Sequence, residues 1–339
     1  MVQHLVDLLD AWLPTYQDDW VMAVLTQVQG SSYRKPGAMM FFHPMGKSLG
    51  MLSGGCLEAD LRRHAQRAIQ NQQVLQLTFD ATDESDSSYQ LGCGGIVNIM
   101  MVSLNKANNY LGLVKVHDAL MRGDSGFYQL NIANDGAPSH GITGQFIEQK
   151  KDSATQVTLN SKTEKHLQAQ NTILSIPLRP PVHIGIFGGG LDAQPLAQMA
   201  QTMGWKVTVC DERTAYARTY DFPGCQIIKH PTSSISLDIL TSLDAAFVMS
   251  HNLNIDANTL KALQPLALAY ISLLGPAHRR DKVLDIAKLH VADFSGFFSA
   301  PAGLALGGEL PGSVALSMLS QCHGVLYKSS LTHLDTVML

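Results

Sequence analysis

The stretch His183-Ile184-Gly185-Ile186-Phe187-Gly188-Gly189-Gly190-Leu191-Asp192-Ala193 decides how the second half of the chain folds. His183 to Phe187 is a short apolar run, suited to a buried strand. It ends in Gly188-x-Gly190-x-x-Ala193, and Leu196, Ala197, Met199 and Ala200 then follow at helical spacing. Val207 to Cys210 is the next strand, with Asp211 at its end. A strand, a glycine turn, a helix, a second strand and a terminal acid in series specify a Rossmann-type unit. In such a unit Gly188 makes the tight turn, Gly190 lets a phosphate approach closely, and Ala193 lets the helix pack on the strand. Asp211 either accepts hydrogen bonds from a ribose or caps the turn that follows, and the sequence leaves both open. Arg213 nearby would favour an extra phosphate, so NAD and NADP are equally compatible. An NAD(P)-dependent oxidoreductase is the alternative function this half suggests.

Working outward, the α/β alternation continues. Ala245 to Met249 reads as a strand, Leu260 to Leu266 as a helix, Leu268 to Leu273 as a strand and Val314 to Cys322 as a closing helix. Arg279, Arg280 and Lys282 read as a solvated helix start, and Phe297 to Pro311 as a Gly/Ala/Pro-rich loop. The expected fold class is therefore α/β: a C-terminal Rossmann-type, doubly wound parallel sheet behind an N-terminal mixed α/β domain. Pro177, Pro180 and Pro181 punctuate the junction, giving domains at 1–175 and 182–325 and a tail at 326–339.

In the first half, an amphipathic helix over residues 2–13 ends at Pro14. Strands are expected over 21–28, 38–43, 48–52, 74–79 and 96–104, then a helix near 110–122 and strands near 127–133 and 143–148. Residues 149–171 are polar and carry no assignment. Two loops embed a cysteine in glycines. One is Leu52-Ser53-Gly54-Gly55-Cys56-Leu57-Glu58-Ala59-Asp60-Leu61. Ser53 as N-cap would put Gly54, Gly55 and Cys56 in the first turn of a helix running to about Ile69. Free N–H groups at a helix start attract anions and favour a thiolate. The other loop is Leu91-Gly92-Cys93-Gly94-Gly95. The two either converge on one pocket or are tight turns with small thiols. A third segment, Gly30-Ser31-Ser32-Tyr33-Arg34-Lys35-Pro36-Gly37, is a turn carrying two serine hydroxyls and two cations.

Composition narrows the function. Apolar residues make up 45 % and charged residues 15 %, as in a globular protein, and a net charge of −4 offers no general basic field for nucleic acid. The longest apolar run, near Leu266 to Leu274, is too short to span a bilayer. Met1 to Trp20 carries aspartates and no Lys or Arg, unlike a secretory or transit peptide. The cysteines at 56, 93, 210, 225 and 322 form no C-x-x-C pair, so free thiols in a cytoplasmic protein are expected, without a disulfide framework or structural zinc. No G-x-S-x-G elbow, H-E-x-x-H or P-loop occurs.

The chain resembles the XdhC/CoxI family, the accessory factors of xanthine dehydrogenase and related molybdenum hydroxylases. Four segments carry the likeness: Gly30 to Met40, Ser53 to Asp60, Leu91 to Gly95, and Ile184 through Asp211-Glu212-Arg213. It departs from the family pattern at Leu191, where members often have His, and at Ser272, where they often have Gly. The resemblance implies a non-catalytic carrier. Such a factor binds the molybdenum cofactor (molybdopterin, as a mono- or dinucleotide), protects it while a sulfur is installed, and inserts it into the apo-enzyme. Ser31, Ser32 and Arg34 would then hold oxygens of the pterin or phosphate. Gly54, Gly55, Gly92, Gly94, Gly95, Gly188, Gly190 and Asp211 would line cofactor sites. Cys56 and Cys93 would ligate the molybdenum or accept sulfur. Implied partners are an apo molybdenum hydroxylase of the xanthine or aldehyde dehydrogenase type, a cysteine desulfurase and a second copy of the chain.

Overall fold

A computed structural model describes residues 4–80, 95–149, 161–168 and 171–329. The chain divides into two compact units, Met1–Pro180 and Pro181–Leu339.

In the first unit the elements run α1 (Leu5–Trp12), β1 (Trp20–Gln29), β2 (Met39–Phe42), β3 (Ser48–Gly50), α2 (Glu58–Asn71), β4 (Leu75–Asp80), β5 (Ile96–Leu104), α3 (Leu113–Arg122), β6 (Gly126–Ile132), β7 (Gly144–Glu148), β8 (Glu164–Gln168) and β9 (Asn171–Leu178). The first five strands form an antiparallel sheet ordered β3-β2-β1-β5-β4, and the last four an antiparallel sheet ordered β7-β6-β9-β8. Alternation along β1 sorts its side chains between two cores. Trp20, Met22 and Val24 join α1, α3 and the second sheet around Trp12, Phe41 and Tyr128. Val21, Ala23 and Leu25 face α2 through Leu61, Ala65 and Ala68. Both faces are covered, which is why the first six residues of β1, Trp20 to Leu25, are all apolar and buried. The register of β1 on β5 shifts between Leu25 and Gln27, and the ladder closes at Gln29 opposite Ile96. That pairing places the end of β1 beside the start of β5.

Residues 149–171, unassigned from sequence, contain β8 and the first residue of β9. Lys165, His166 and Leu167 are exposed on this edge strand, so no hydrophobic alternation marks it. Pro177 lies past the end of β8, whose pairing with β9 stops at Glu164 opposite Ser175. No ladder bond is asked of its missing N–H on that side.

The second unit runs β10 (His183–Phe187), α4 (Ala193–Thr202), β11 (Lys206–Cys210), β12 (Gln226–Ile228), α5 (Leu237–Thr241), β13 (Ala245–Val248), α6 (Leu253–Leu263), β14 (Tyr270–Leu273), α7 (Ala277–Ala287), β15 (Phe297–Ser299) and α8 (Pro311–Leu326). All six strands are parallel, in the order β12-β11-β10-β13-β14-β15. By position this is the 3-2-1-4-5-6 order of a Rossmann fold, with the direction of winding reversing between β10 and β13. Helices α6 and α7 cover one face through Ala257, Leu260, Leu263, Val283 and Leu284, and α4 packs on α8. The expected α/β class and doubly wound parallel sheet are what the structure shows. The segment from Phe297, read as a loop, opens with the edge strand β15; three residues are too few to show a period.

His183 at the start of β10 is buried, with Nδ1 3.1 Å from Ser242 Oγ and Nε2 2.8 Å from Thr208 Oγ1. Burial, reinforced by Lys206, pushes its pKa down to about 4. The neutral ring is the folded form. No stability is lost above the unfolded pKa of about 6.5, and the loss grows as pH falls from there toward 4, where it levels off, at roughly 3 kcal/mol. Urea midpoints taken between pH 7.5 and 4.5 are expected to fall more steeply for the wild type than for His183→Gln, which keeps a donor and an acceptor without the proton.

Candidate functional site

The order β1-β5 brings three sequence segments to one end of the first sheet. Gly95 precedes β5, and an added Cβ there would lie 2.0 Å from the Ser31 carbonyl oxygen, so its backbone rests directly on the Gly30–Ser31 turn. The loop before α2 completes the site. Together they enclose a cavity of about 200 Å³ that includes Ser32, Tyr33, Ser53, Gly54, Cys56 and Gly95. Leu25, Leu57, Val97 and Ile99 give it apolar walls.

The Gly-Gly-Cys loop is held by a residue to which the sequence reading gave no role. Glu58, the first residue of α2, turns back on the loop. Its Oε1 accepts from Leu52 N at 3.3 Å and Ser53 N at 2.9 Å, and its Oε2 from Ser53 Oγ at 2.5 Å. Ser53 Oγ in turn accepts from Gly55 N at 3.2 Å and Leu57 N at 3.0 Å. Burial opposes the Glu58 charge, but these hydrogen bonds outweigh it and hold its pKa below the usual glutamate value. The spacing Ser53–Glu58 is two residues longer than a capping box, which hides it from a motif search. The same network corrects the expected cap. Ser53 is not the N-cap of α2; Leu57 occupies that position without a side-chain cap, and Cys56 precedes the helix rather than sitting in its first turn. The extra residues form the loop that Ser53 and Glu58 close.

Cys56 is exposed. Burial keeps the other described thiols protonated. Burial, with help from Asp211, pushes Cys210 up to about 12; burial raises Cys225 to about 11; burial and Asp244 raise Cys322 well above its ordinary value. An added Cβ at Gly54 or Gly55 would meet nothing within 4 Å. An accessible soft thiol, open glycine backbone, apolar walls and the Ser32 hydroxyl suit a flat organic ligand carrying a soft metal.

Ser32, Gly54, Cys56 and Gly95 therefore meet in one cavity. Ser31 and Gly55 flank it without lining it, and Arg34 lines a neighbouring cavity instead. Gly92, Cys93 and Gly94 lie outside the described residues. Sequence reading missed Tyr33, Glu58 and the walls from β1 and β5, because only the long-range pairing of those strands brings them together.

Gly188, Gly190 and Asp211 belong to the second unit. Gly188 has φ +126°, and a Cβ on it would lie 2.5 Å from the Met249 backbone, so a tight turn at the sheet's carboxyl edge requires it. Gly189 is crowded by the chain itself: a Cβ there would lie 2.4 Å from Ala217 N and Cβ, and its carbonyl accepts from Ala217 N at 3.0 Å. Asp211 is buried and heavily engaged. Oδ2 accepts from Gly189 N and Arg213 Nη2, each at 2.8 Å, and Oδ1 from Arg213 N at 3.0 Å and Nε at 2.9 Å. Burial works against the carboxylate, but the Arg213 and Gly189 donors prevail and lower its pKa. The Arg213 guanidinium also lies 3.8 Å from the Tyr216 ring centroid. Near the same edge, His251 Nε2 is 2.7 Å from Asp192 Oδ2, which raises the histidine's pKa. Among the described residues no helix is long and apolar enough to cross a membrane, and no group of three or more His, Cys, Asp or Glu could hold a metal.

Fold and cavity define a two-unit α/β protein that joins a thiol-bearing glycine pocket to a separate Rossmann unit. Residues 184–322 match the XdhC Rossmann domain, and residues 16–80 match the XdhC and CoxI family. The chain is 30 % identical over 323 residues to a probable xanthine dehydrogenase subunit from Bacillus subtilis, spanning 93 % of this chain and 95 % of that one. It is 23 % identical over 311 residues to the molybdenum cofactor insertion chaperone PaoD of Escherichia coli, spanning 90 % and 83 %. A crystal structure of a Bacillus halodurans protein described as a xanthine dehydrogenase superposes with TM-score 0.78 at 26 % identity, covering 99 % of this chain and 100 % of that one. The chain belongs to the XdhC and CoxI family.

Proposed function

We propose that the protein is a cytoplasmic carrier that binds the molybdenum cofactor, shelters it during sulfuration and inserts it into an apo molybdenum hydroxylase of the xanthine dehydrogenase type. The observation that carries this reading is the meeting of Ser32, Gly54, Cys56 and Gly95 in one apolar-walled cavity. The cofactor is cargo here, and its molybdenum is a soft-ligand acceptor. Cys56 offers a thiol ligand, open backbone at Gly54 admits a flat ring, and the Glu58–Ser53 network keeps the loop in place without the ligand. Cys93 is proposed as a second thiol on the strength of the family resemblance. The same reading carries a cysteine desulfurase as sulfur source and a second copy of the chain as partner.

The test is retention. Protein purified from a host that makes the cofactor is expected to carry molybdenum and pterin, measured by metal analysis and pterin fluorescence. Cys56→Ala is expected to retain at least about tenfold less, a loss of ~1.4 kcal/mol or more. Absence of cofactor from the wild type would defeat the carrier reading; full retention by Cys56→Ala would remove the role given to Cys56.

The alternative, an NAD(P)-dependent oxidoreductase, draws less support. The acid that would hold a ribose is spent on Gly189 and Arg213, and Ala217 covers the middle glycine. Gly188 and Gly189 are accounted for by packing within the unit.

A further inference from the structure

The Ser32–Gly37 turn separates two cavities of different chemistry. On one side is the apolar Cys56 pocket. On the other is a larger cavity of about 410 Å³, whose lining includes Tyr33, Arg34 and Lys35 together with Leu8, Met39 and Ile176. Tyr33 lines both. The turn is held rigidly between them. Ser32 Oγ donates to Arg34 O at 2.6 Å, Gly37 N to Leu25 O at 2.8 Å, and Ala38 N to Lys35 O at 3.2 Å. Gly37, at φ +92°, leaves only 2.7 Å between an added Cβ and Thr163 Oγ1, so the turn is seated against the second sheet's side of the cavity.

Among the described residues, no hydrogen bond or ion pair engages the Arg34 guanidinium or the Lys35 ammonium. Two adjacent cations without a counter-charge, on a preorganised turn beside a cavity, form an anion receptor. The guanidinium fork matches phosphate in a bidentate manner, and the ammonium adds a point charge, so a dianion is favoured over a single carboxylate. The cavity is larger than a phosphate, and Leu8, Met39 and Ile176 offer apolar surface to whatever the phosphate is attached to.

We propose that the Arg34–Lys35 cavity is an anion subsite that takes the phosphate or diphosphate end of the ligand whose soft, metal-bearing end reaches Cys56. This rests on the carrier reading above and gives the ligand a direction: charge on one side of Tyr33, metal on the other. Recognition is then divided between two compartments, and the anion half operates without the metal.

Inorganic pyrophosphate titrated calorimetrically into the cofactor-free full-length chain isolates that half. Binding is expected for the wild type and unchanged for Cys56→Ala. It should be about tenfold weaker for Arg34→Gln/Lys35→Gln, and it should weaken with added salt as exposed charges are screened. Arg34→Lys keeps the charge without the fork and is expected to fall between. Circular dichroism and the thermal midpoint of the glutamine variant should match the wild type, since both side chains are free of internal partners. No pyrophosphate binding at millimolar concentration, or equal binding by the glutamine variant, would overturn the subsite. Retention of molybdenum and pterin by the same variants separates the two ideas. Pyrophosphate binding without cofactor retention in the wild type sinks the carrier reading and leaves the subsite standing. Full cofactor retention by Arg34→Gln/Lys35→Gln does the reverse.

Discussion

Asp256→Ala is expected to destabilise the second unit by about 3–5 kcal/mol, the cost of breaking a buried ion pair from one side. Asp256 on α6 is fully buried. Its Oδ2 accepts from Arg279 Nη2 at 2.5 Å, and its Oδ1 from Ser250 N at 3.1 Å and Ser250 Oγ at 2.5 Å. Arg279 on α7 also donates from Nη1 to Leu274 O at 3.0 Å. One carboxylate thus ties the residues following β13 and β14 to the two helices that cover the sheet, at the edge where such sheets bind ligands. Removing it leaves a guanidinium with little water, and an N–H and a hydroxyl without their acceptor. Taking the guanidinium away as well relieves the worst of this, so Asp256→Ala/Arg279→Leu should be more stable than Asp256→Ala alone. Urea unfolding of the two singles and the double closes a cycle whose coupling measures the pair. A loss below about 1 kcal/mol for Asp256→Ala, at the scale of an exposed pair, contradicts this account.

The sequence revealed the second unit more fully than the first, and the reason lies in where information is local. Strand, glycine turn, helix and terminal acid in β10–β11 are contiguous, so spacing alone identifies them. The ends of the same sheet are harder to see: β15 has three residues, with Phe297 exposed, and carries no alternation. In the first unit, β1 is legible because both its faces are buried, whereas β8 is an edge strand of exposed side chains and reads like a polar linker. The thiol site was half legible. Glycines around Cys56 marked a loop, but its internal lock is a contact from Ser53 to Glu58 at a spacing no standard cap uses. The partition of Ser32 and Arg34 into different cavities follows from the tertiary path of one turn, which no local pattern encodes. Asp211 shows the opposite lesson: its position fits a ribose-binding acid, yet its four hydrogen bonds all go to its own chain.

Gly95→Ala should disable the thiol pocket while leaving the Cys56 thiol itself unaltered. The added Cβ would lie 2.0 Å from Ser31 O and 2.9 Å from Gln29 O. Both neighbours are backbone carbonyls, so no rotamer change relieves the overlap; either the Gln29–Ile96 pair at the end of the β1–β5 ladder opens, or the Gly30–Tyr33 turn swings away. Overpacking of this kind costs typically 1–3 kcal/mol, and rigid partners on both sides place this case at or above the upper end. Either movement carries Ser32 and Tyr33 off Gly54 and Cys56. Cofactor retention by Gly95→Ala should therefore drop as far as in Cys56→Ala, although its thiol is intact. Gly54→Ala is the matched control: a Cβ there meets nothing within 4 Å, so the thermal midpoint should hold while the methyl group intrudes on the ligand's space. Stability and retention should fall together at Gly95 and separate at Gly54. If Gly95→Ala keeps both the wild-type midpoint and the wild-type cofactor load, the convergence of the three segments is not what forms the site.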